Sequence, residues 1–160
     1  MILPDHHQMI RDALREFSQQ QLAPHAAAWD RERSFPRDAL NRLAQLGAFG
    51  VAVPEELGGA GLDYLALAIV IEEIAAGDGG TSTIISVNNC PVCSIGMAYA
   101  NDAQKKQWLR PLASGKMLGA FALTEPHAGS DASVLRTTAR RDGDHYVLNG
   151  VKQFITSGKN

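Results

Sequence analysis

At Gly115 the apolar residues of this chain change their period, and that change divides it into two kinds of structure. Before Gly115 the spacing is helical, three to four residues apart, and the punctuation is that of helix starts and stops. Asp5 followed by Gln8 reads as a capping box ahead of Ile10, Leu14 and Phe17. Pro36 suits the first turn of a second helix, with Asp38 in that turn, Leu40, Leu43 and Leu46 behind it, and Gly47 as its stop. A third helix is predicted from about Asp63 through Leu65, Ile69 and Ile74 to Gly77. It is apolar on most of its circumference, as a central, buried helix should be. Thr81 or Thr83 opens a fourth segment and Pro91 a fifth. The last starts on Asp102 as N-cap, carries Trp108, Leu109 and Leu112, and ends at Gly115.

After Gly115 the runs are short and turn-rich. Leu118 to Leu123 is apolar and uncharged. Leu135–Arg141 and His145–Leu148 alternate about a turn at Asp142-Gly143-Asp144. Asn149-Gly150 predicts a further hairpin that returns the chain through Val151 to Thr156. Helices first and antiparallel strands afterwards define an α+β chain: an all-α N-terminal domain over 1–116 and the beginning of an antiparallel β-domain over 117–160. So small a strand region leaves an open edge, and the expectation is a truncated β-domain, or one whose sheet a partner completes.

Charge and composition exclude several functions. The net charge is −2, and Arg136, Arg140 and Arg141 form only a short local cluster, so a nucleic-acid face is not expected. The longest apolar run, Leu65 to Ile71, stops at Glu72-Glu73, well short of the roughly 20 residues of a membrane span. The N-terminus lacks a basic stretch followed by an apolar one, and the default expectation is a soluble, cytoplasmic protein. Cys90-Pro91-Val92-Cys93 has the spacing of a redox pair without the preceding strand such a motif needs, so two small buried residues flanking a helix-starting proline are expected. No metal site is expected: zinc would need further ligands, and His6, His7, His25, His127 and His145 show no ligand spacing and read as surface residues. Gly58-Gly59-Ala60-Gly61 lacks the strand and the Gly-Lys-Ser/Thr of a phosphate loop and reads as a flexible turn.

One segment gathers polar groups after an apolar run: Phe121-Ala122-Leu123-Thr124-Glu125-Pro126-His127-Ala128-Gly129-Ser130-Asp131-Ala132. Thr124 offers a hydroxyl at a strand end, Gly129 permits close backbone approach, and Ser130 adds a hydroxyl able to face a phosphate. The same residues also make an ordinary capped turn, with Pro126 fixing the bend and Asp131 capping it. Pocket and turn use one set of side chains, and both readings stand at this level.

The chain resembles the N-terminal part of an acyl-CoA dehydrogenase, the FAD-dependent enzymes that desaturate acyl thioesters. The resemblance rests on landmarks in register along the whole chain. They are the segment above, Pro54 to Asp63, Glu72-Glu73-Ile74-Ala75, Gln104 to Leu109, and Lys152-Gln153-Phe154-Ile155-Thr156-Ser157-Gly158. It implies that the strand bearing Phe121, Leu123 and Thr124 borders the flavin ring, with Gly129 beside the cofactor. It further implies that Ser130 meets the FAD pyrophosphate and lies beside the substrate thioester. Phe154 and Ile155 would pack on the ring, with Thr156 reaching toward N5; many relatives carry Trp where this chain has Phe154, and Phe keeps the stacking face without the indole donor. The implied reaction passes a β-hydride to the flavin while a carboxylate takes the α-proton, and that base is expected outside this chain. Glu125 is expected in a structural hydrogen-bonding role, and no residue here is expected to be catalytic. Glu55-Glu56 and Glu72-Glu73 are adjacent pairs that point apart. The same resemblance implies an acyl-CoA substrate, electron transfer flavoprotein as partner, a dimer or tetramer when full length, and an inactive isolated segment. An acyl-CoA oxidase, a flavin monooxygenase of the same fold, or a non-catalytic binding module are the alternatives.

Overall fold

A computed structural model describes residues 3–158. It is mostly helical with one small antiparallel sheet, and it divides into two compact units, Met1–Gly119 and Ala120–Asn160.

The first unit is all helix and connecting turn. Its helices are α1 (Asp5–Phe17), α2 (Ala23–Glu32), α3 (Arg37–Gln45), α4 (Tyr64–Gly77), α5 (Gly79–Val87), α6 (Ser94–Tyr99), α7 (Asp102–Gln104) and α8 (Arg110–Ala113). Helix α4 is the centre, packed on α1 and α5, as its near-continuous apolar surface requires. Its Ala66, Leu67, Val70 and Ile74 join Leu14, Leu40, Leu43 and Phe49 in the main core. Glu73 is the polar exception on the buried face. Its carboxylate accepts two hydrogen bonds from Arg15, at 3.0 and 2.7 Å, and so ties α4 to α1.

The helix boundaries differ from the sequence expectations in instructive ways. Pro4, not Asp5, is the N-cap of α1, and no side chain caps it; Gln8 donates instead to Asp12, so the capping box does not form. The first helix does not stop at Phe17. It widens into a π-helical turn at Ser18–Leu22 and continues as α2, a helix absent from the sequence reading, to a left-handed Arg33 (φ 53°). Asp78, rather than Thr81 or Thr83, caps α5 by accepting from the Thr81 N–H at 2.7 Å. Pro91 opens nothing: it sits inside a π-helical stretch, Asn88–Cys93, whose looser turn accommodates a residue without an N–H. Asn101 is the N-cap of α7 in place of Asp102, with a full capping box to Gln104. Asp63 caps α4 and Gly47 stops α3 with φ 77°, both as expected.

Two adjacent buried asparagines hold the π-helical stretch to the turns around it. Asn88 donates to the carbonyls of Phe49 (2.8 Å) and Leu112 (3.1 Å) and accepts from the Gly119 N–H (3.0 Å). Asn89 accepts from the Val51 N–H (2.9 Å) and donates to the carbonyls of Ala48 (2.7 Å) and Ile85 (2.9 Å). The turn through Gly58-Gly59-Ala60-Gly61 is packed rather than flexible. Gly58 and Gly61 take φ 84° and 65°, and a Cβ on Gly59 would lie 2.1 Å from the Val53 carbonyl oxygen.

In the second unit β1 (Thr138–Asp142) pairs antiparallel with β2 (His145–Asn149), Asp142 facing His145 across Gly143-Asp144. Gly143 takes φ 61° at the first turn position, where a II′ hairpin turn favours glycine. Every residue of both strands is exposed. Two expected strands are absent among the described residues: neither Leu118–Leu123 nor Val151–Thr156 enters a ladder. Asn149-Gly150 is not a hairpin turn. Asn149 is the last residue of β2, and Gly150 passes so close to Thr137 that a Cβ would come within 2.2 Å of its hydroxyl oxygen. The glycine there serves close approach, not a reversal.

Candidate functional site

The candidate site is built within the second unit, from two segments that the hairpin brings side by side. The Gln153 N–H donates to the Thr124 carbonyl at 3.0 Å. The Lys152 ammonium donates to the Leu123 carbonyl (2.8 Å) and to Glu125 Oε1 (2.9 Å). The 121–132 and 152–158 motifs are thus joined by direct hydrogen bonds.

Glu125 is the hub of this arrangement. It is 2% exposed, and its carboxylate also accepts from the backbone N–H groups of Arg136 (2.7 Å) and Thr137 (2.9 Å). His127 Nε2 lies 3.4 Å from its Oε2. The Thr137 and Arg136 N–H groups and the Lys152 ammonium together hold the carboxyl far below the usual carboxylate range, with burial opposing them. The Thr137 hydroxyl itself makes no hydrogen bond, so its backbone N–H carries the contact. A carboxylate bound this firmly is a weak base, which fits the structural role expected for it. The depressed value also fixes a sign. Protons bind the unfolded chain first, so the stabilisation from Glu125 is complete above its ordinary value of 4.5 and is lost as the pH falls below it. Urea midpoints followed from neutral pH into acid should fall more steeply in the wild type than in Glu125→Gln; parallel acid limbs would remove this role.

The turn at Pro126 is present too. Glu125 and Ala128 exchange backbone hydrogen bonds at 2.9 and 3.1 Å around Pro126-His127, and Asp131 Oδ1 accepts from the Ser133 N–H (3.0 Å) and hydroxyl (2.6 Å). Asp131 therefore caps the short 3-10 turn Ala132–Val134 that follows, not the Pro126 bend the sequence suggested, which the Glu125 and Ala128 backbone bonds close by themselves. The turn leaves the remaining candidate groups available. Phe121, Leu123 and Phe154 are exposed apolar side chains, Phe154 at 87%. Thr124, Ile155 and Thr156 are half-buried, and Gly129 and Ser130 are exposed. A Cβ on Gly129 would meet nothing within 4 Å, so its backbone is open to approach. Among the described residues, the N–H groups of Phe121 to Thr124 and of Thr156 find no acceptor, and the buried Ser157 Oγ has no partner. Exposed apolar side chains beside unspent donors are the chemistry that holds a planar heteroaromatic ring with one polar edge.

Other candidates resolve into structure. Cys93 is buried as expected, but Cys90 is a correction: it is exposed, since the looser π-helical stretch turns it outward; both are free thiols, and burial pushes the Cys93 thiol up to about 12, away from nucleophilic chemistry. His7 is a correction: it is 3% exposed, not a surface residue, with Nε2 2.8 Å from Asp63 Oδ1. His6, His7 and Asp63 bring ligand-type atoms within 4.8 Å of one another. The Asp63 oxygen is already engaged by His7 and the Ala66 N–H, so the group is a buttressed helix cap. Lys152 is the functional residue that the sequence motif does not single out. A lysine set between Val151 and Gln153-Phe154 carries no local signal of the glutamate far upstream that fixes it.

Residues 4–116 match the family description "Acyl-CoA dehydrogenase, N-terminal domain" and residues 120–160 match "Acyl-CoA dehydrogenase, middle domain". The chain belongs to the acyl-CoA dehydrogenase family. It is 46% identical over 155 residues to the mitochondrial short-chain specific acyl-CoA dehydrogenase of Rattus norvegicus, covering 97% of this chain and 38% of that protein. A chain in the structure reported for the electron transferring flavoprotein of Acidaminococcus fermentans superposes with a TM-score of 0.93 at 40% identity, over 99% of this chain and 42% of that one. An acyl-CoA dehydrogenase complexed with FAD from Bacillus anthracis gives 0.86 at 35% identity, over 96% of this chain and 27% of that one. The chain thus spans well under half the length of the relatives it matches.

Proposed function

We propose that this chain is the N-terminal helical domain (1–116) and the first part of the FAD-binding β-domain (117–160) of an enzyme that desaturates an acyl-CoA thioester. The observation that carries the reading is the join between the two motifs. Gln153 and Lys152 bind the backbone of Leu123 and Thr124, so two stretches far apart in sequence present one surface of apolar side chains and free donors. Bound FAD would supply, at N5, the acceptor for a hydride from the acyl β-carbon.

The residues of this chain would do the holding. Phe121, Leu123 and Phe154 give apolar surface to the ring, and Ile155 lines it. The free N–H groups of the 121–124 stretch and the Thr124 hydroxyl would meet its polar edge, and Thr156 would donate at N5, where reduction places charge. Gly129 and Ser130 are open to a pyrophosphate, and Ser130 also to the thioester. Glu125 would not be the base, because both its oxygens are committed to hydrogen bonds. In this reading the full-length protein is a cytoplasmic homo-oligomer that passes electrons to an electron transfer flavoprotein.

The test uses the full-length protein. Anaerobic addition of an acyl-CoA should bleach the visible flavin absorbance, and a purified protein that neither carries nor binds FAD would sink the proposal. Thr156→Val should slow flavin reduction by about tenfold or more while changing acyl-CoA affinity little. Unchanged reduction kinetics would remove the role given to Thr156.

A further inference from the structure

The stretch that presents Phe154, Ile155 and Thr156 lies in no strand ladder, and its backbone is left-handed at two non-glycine residues, Phe154 (φ 57°) and Ser157 (φ 60°). Such conformations persist where surrounding contacts impose them. Those contacts are few. Among the described residues of the second unit, three hydrogen bonds hold 152–158 to the 121–125 stretch: Gln153 N–H to Thr124, and Lys152 Nζ to Leu123 and to Glu125. Two of the three leave a single ammonium. Its side chain is 23% exposed, and its counter-ion is fixed on a buried hub by the Arg136 and Thr137 N–H groups.

We infer that Lys152 is a positioning residue: by bridging buried Glu125 and the Leu123 carbonyl, it latches the Phe154–Thr156 stretch beside Thr124 and so sets the spacing of the two threonines. The ligand part of this inference rests on the flavin reading above; the latch itself rests on the geometry. An ammonium suits the task because its several donors can serve a carboxylate and a carbonyl at once, which a neutral side chain of the same length cannot do. With the charge gone, Glu125 loses one acceptor bond, Leu123 loses its donor, and one backbone bond is left to hold a left-handed stretch in place. Thr156 then drifts relative to Thr124, and a ring held between their donors loses its alignment.

The experiment compares wild type, Lys152→Met and Lys152→Arg in the full-length protein, by amide hydrogen exchange without added ligand and by FAD binding and the flavin midpoint potential. In Lys152→Met the Gln153, Arg136 and Thr137 amides should exchange roughly tenfold faster or more. FAD affinity should fall on the order of tenfold, the midpoint potential should move as the N5 donor shifts, and Lys152→Arg should recover most of both. A residue that only supported the fold would lower the melting temperature and leave the potential of the remaining holoenzyme where it was; that outcome, or unchanged amide exchange, overturns the positioning role. If wild type binds no FAD, the flavin reading and the ligand part of this inference fall together, and the exchange data alone judge the latch. Wild type that binds FAD, with Lys152→Met indistinguishable from it, overturns the latch and leaves the flavin reading intact.

Discussion

Asn88→Leu is expected to lower the stability of this protein by about 3 kcal/mol, since each buried polar group left without its partner costs about 1–3 kcal/mol. The side chain is 1% exposed and serves three backbone groups. The Leu112 carbonyl also accepts from the Gly115 N–H at 3.2 Å and is partly protected, so the loss falls mainly on the Phe49 carbonyl and the Gly119 N–H. Leucine has a similar volume and cannot serve either of them. Asn89→Leu removes an equivalent set from Val51, Ala48 and Ile85 and should cost a similar amount. Against the roughly 5–15 kcal/mol that holds an ordinary domain, either change is large. Urea denaturation followed by circular dichroism measures it. A loss below about 1 kcal/mol, the net worth of one ordinary hydrogen bond, would show that the turns do not depend on the asparagines.

Gly59→Ala is the second large effect, and Gly129→Ala is its contrast. The added methyl on Gly59 would lie 2.1 Å from the Val53 carbonyl oxygen and 2.6 Å from that of Gly50, both backbone atoms that can yield only if the turn moves. Overpacking of this kind costs about 1–3 kcal/mol or more, and the upper end is expected because no flexible side chain absorbs the clash. At Gly129 the same methyl meets nothing within 4 Å, so stability should be unchanged. In the full-length protein, however, Gly129→Ala should weaken FAD binding, because the methyl enters the space proposed for the pyrophosphate. Thermal melts of both variants, with FAD titration of the second, separate the two roles. A stable Gly59→Ala would mean that the turn is as yielding as its glycine-rich sequence suggests, and unaltered FAD affinity in Gly129→Ala would take that glycine out of the site.

How much could be read from the chain depended on the range of the interactions involved. Helix α4 was legible because its signals are local: an Asp63 cap, a nearly unbroken apolar surface and a glycine stop. The β1–β2 hairpin was legible for the same reason, with its alternation and Gly143 at the turn. Helix α2 was not, because it carries no buried residue and its alanines give no amphipathic stripe. The π-helical stretches escaped notice because a widened turn changes the period on which pattern reading depends. Asn149-Gly150 misled because the pair has two uses, a tight turn and a close backbone approach, and only the position of Thr137 decides between them.

The sequence by itself determined the two kinds of structure, the family landmarks and the residue types of the candidate site, since periodicity and motif spacing are properties of neighbouring residues. It also placed Glu125 in a supporting role by its position in the motif. What only the tertiary structure decided was what Glu125 supports. Lys152 lies 27 residues away along the chain, and its ammonium meets Glu125 at 2.9 Å because the hairpin doubles back. Asn88 and Asn89 likewise became anchors only once the turns at 48–51 and the residues at 112 and 119 were folded over them. A buried polar side chain takes its role from whichever backbone groups burial leaves without water, and chain order does not encode which those are.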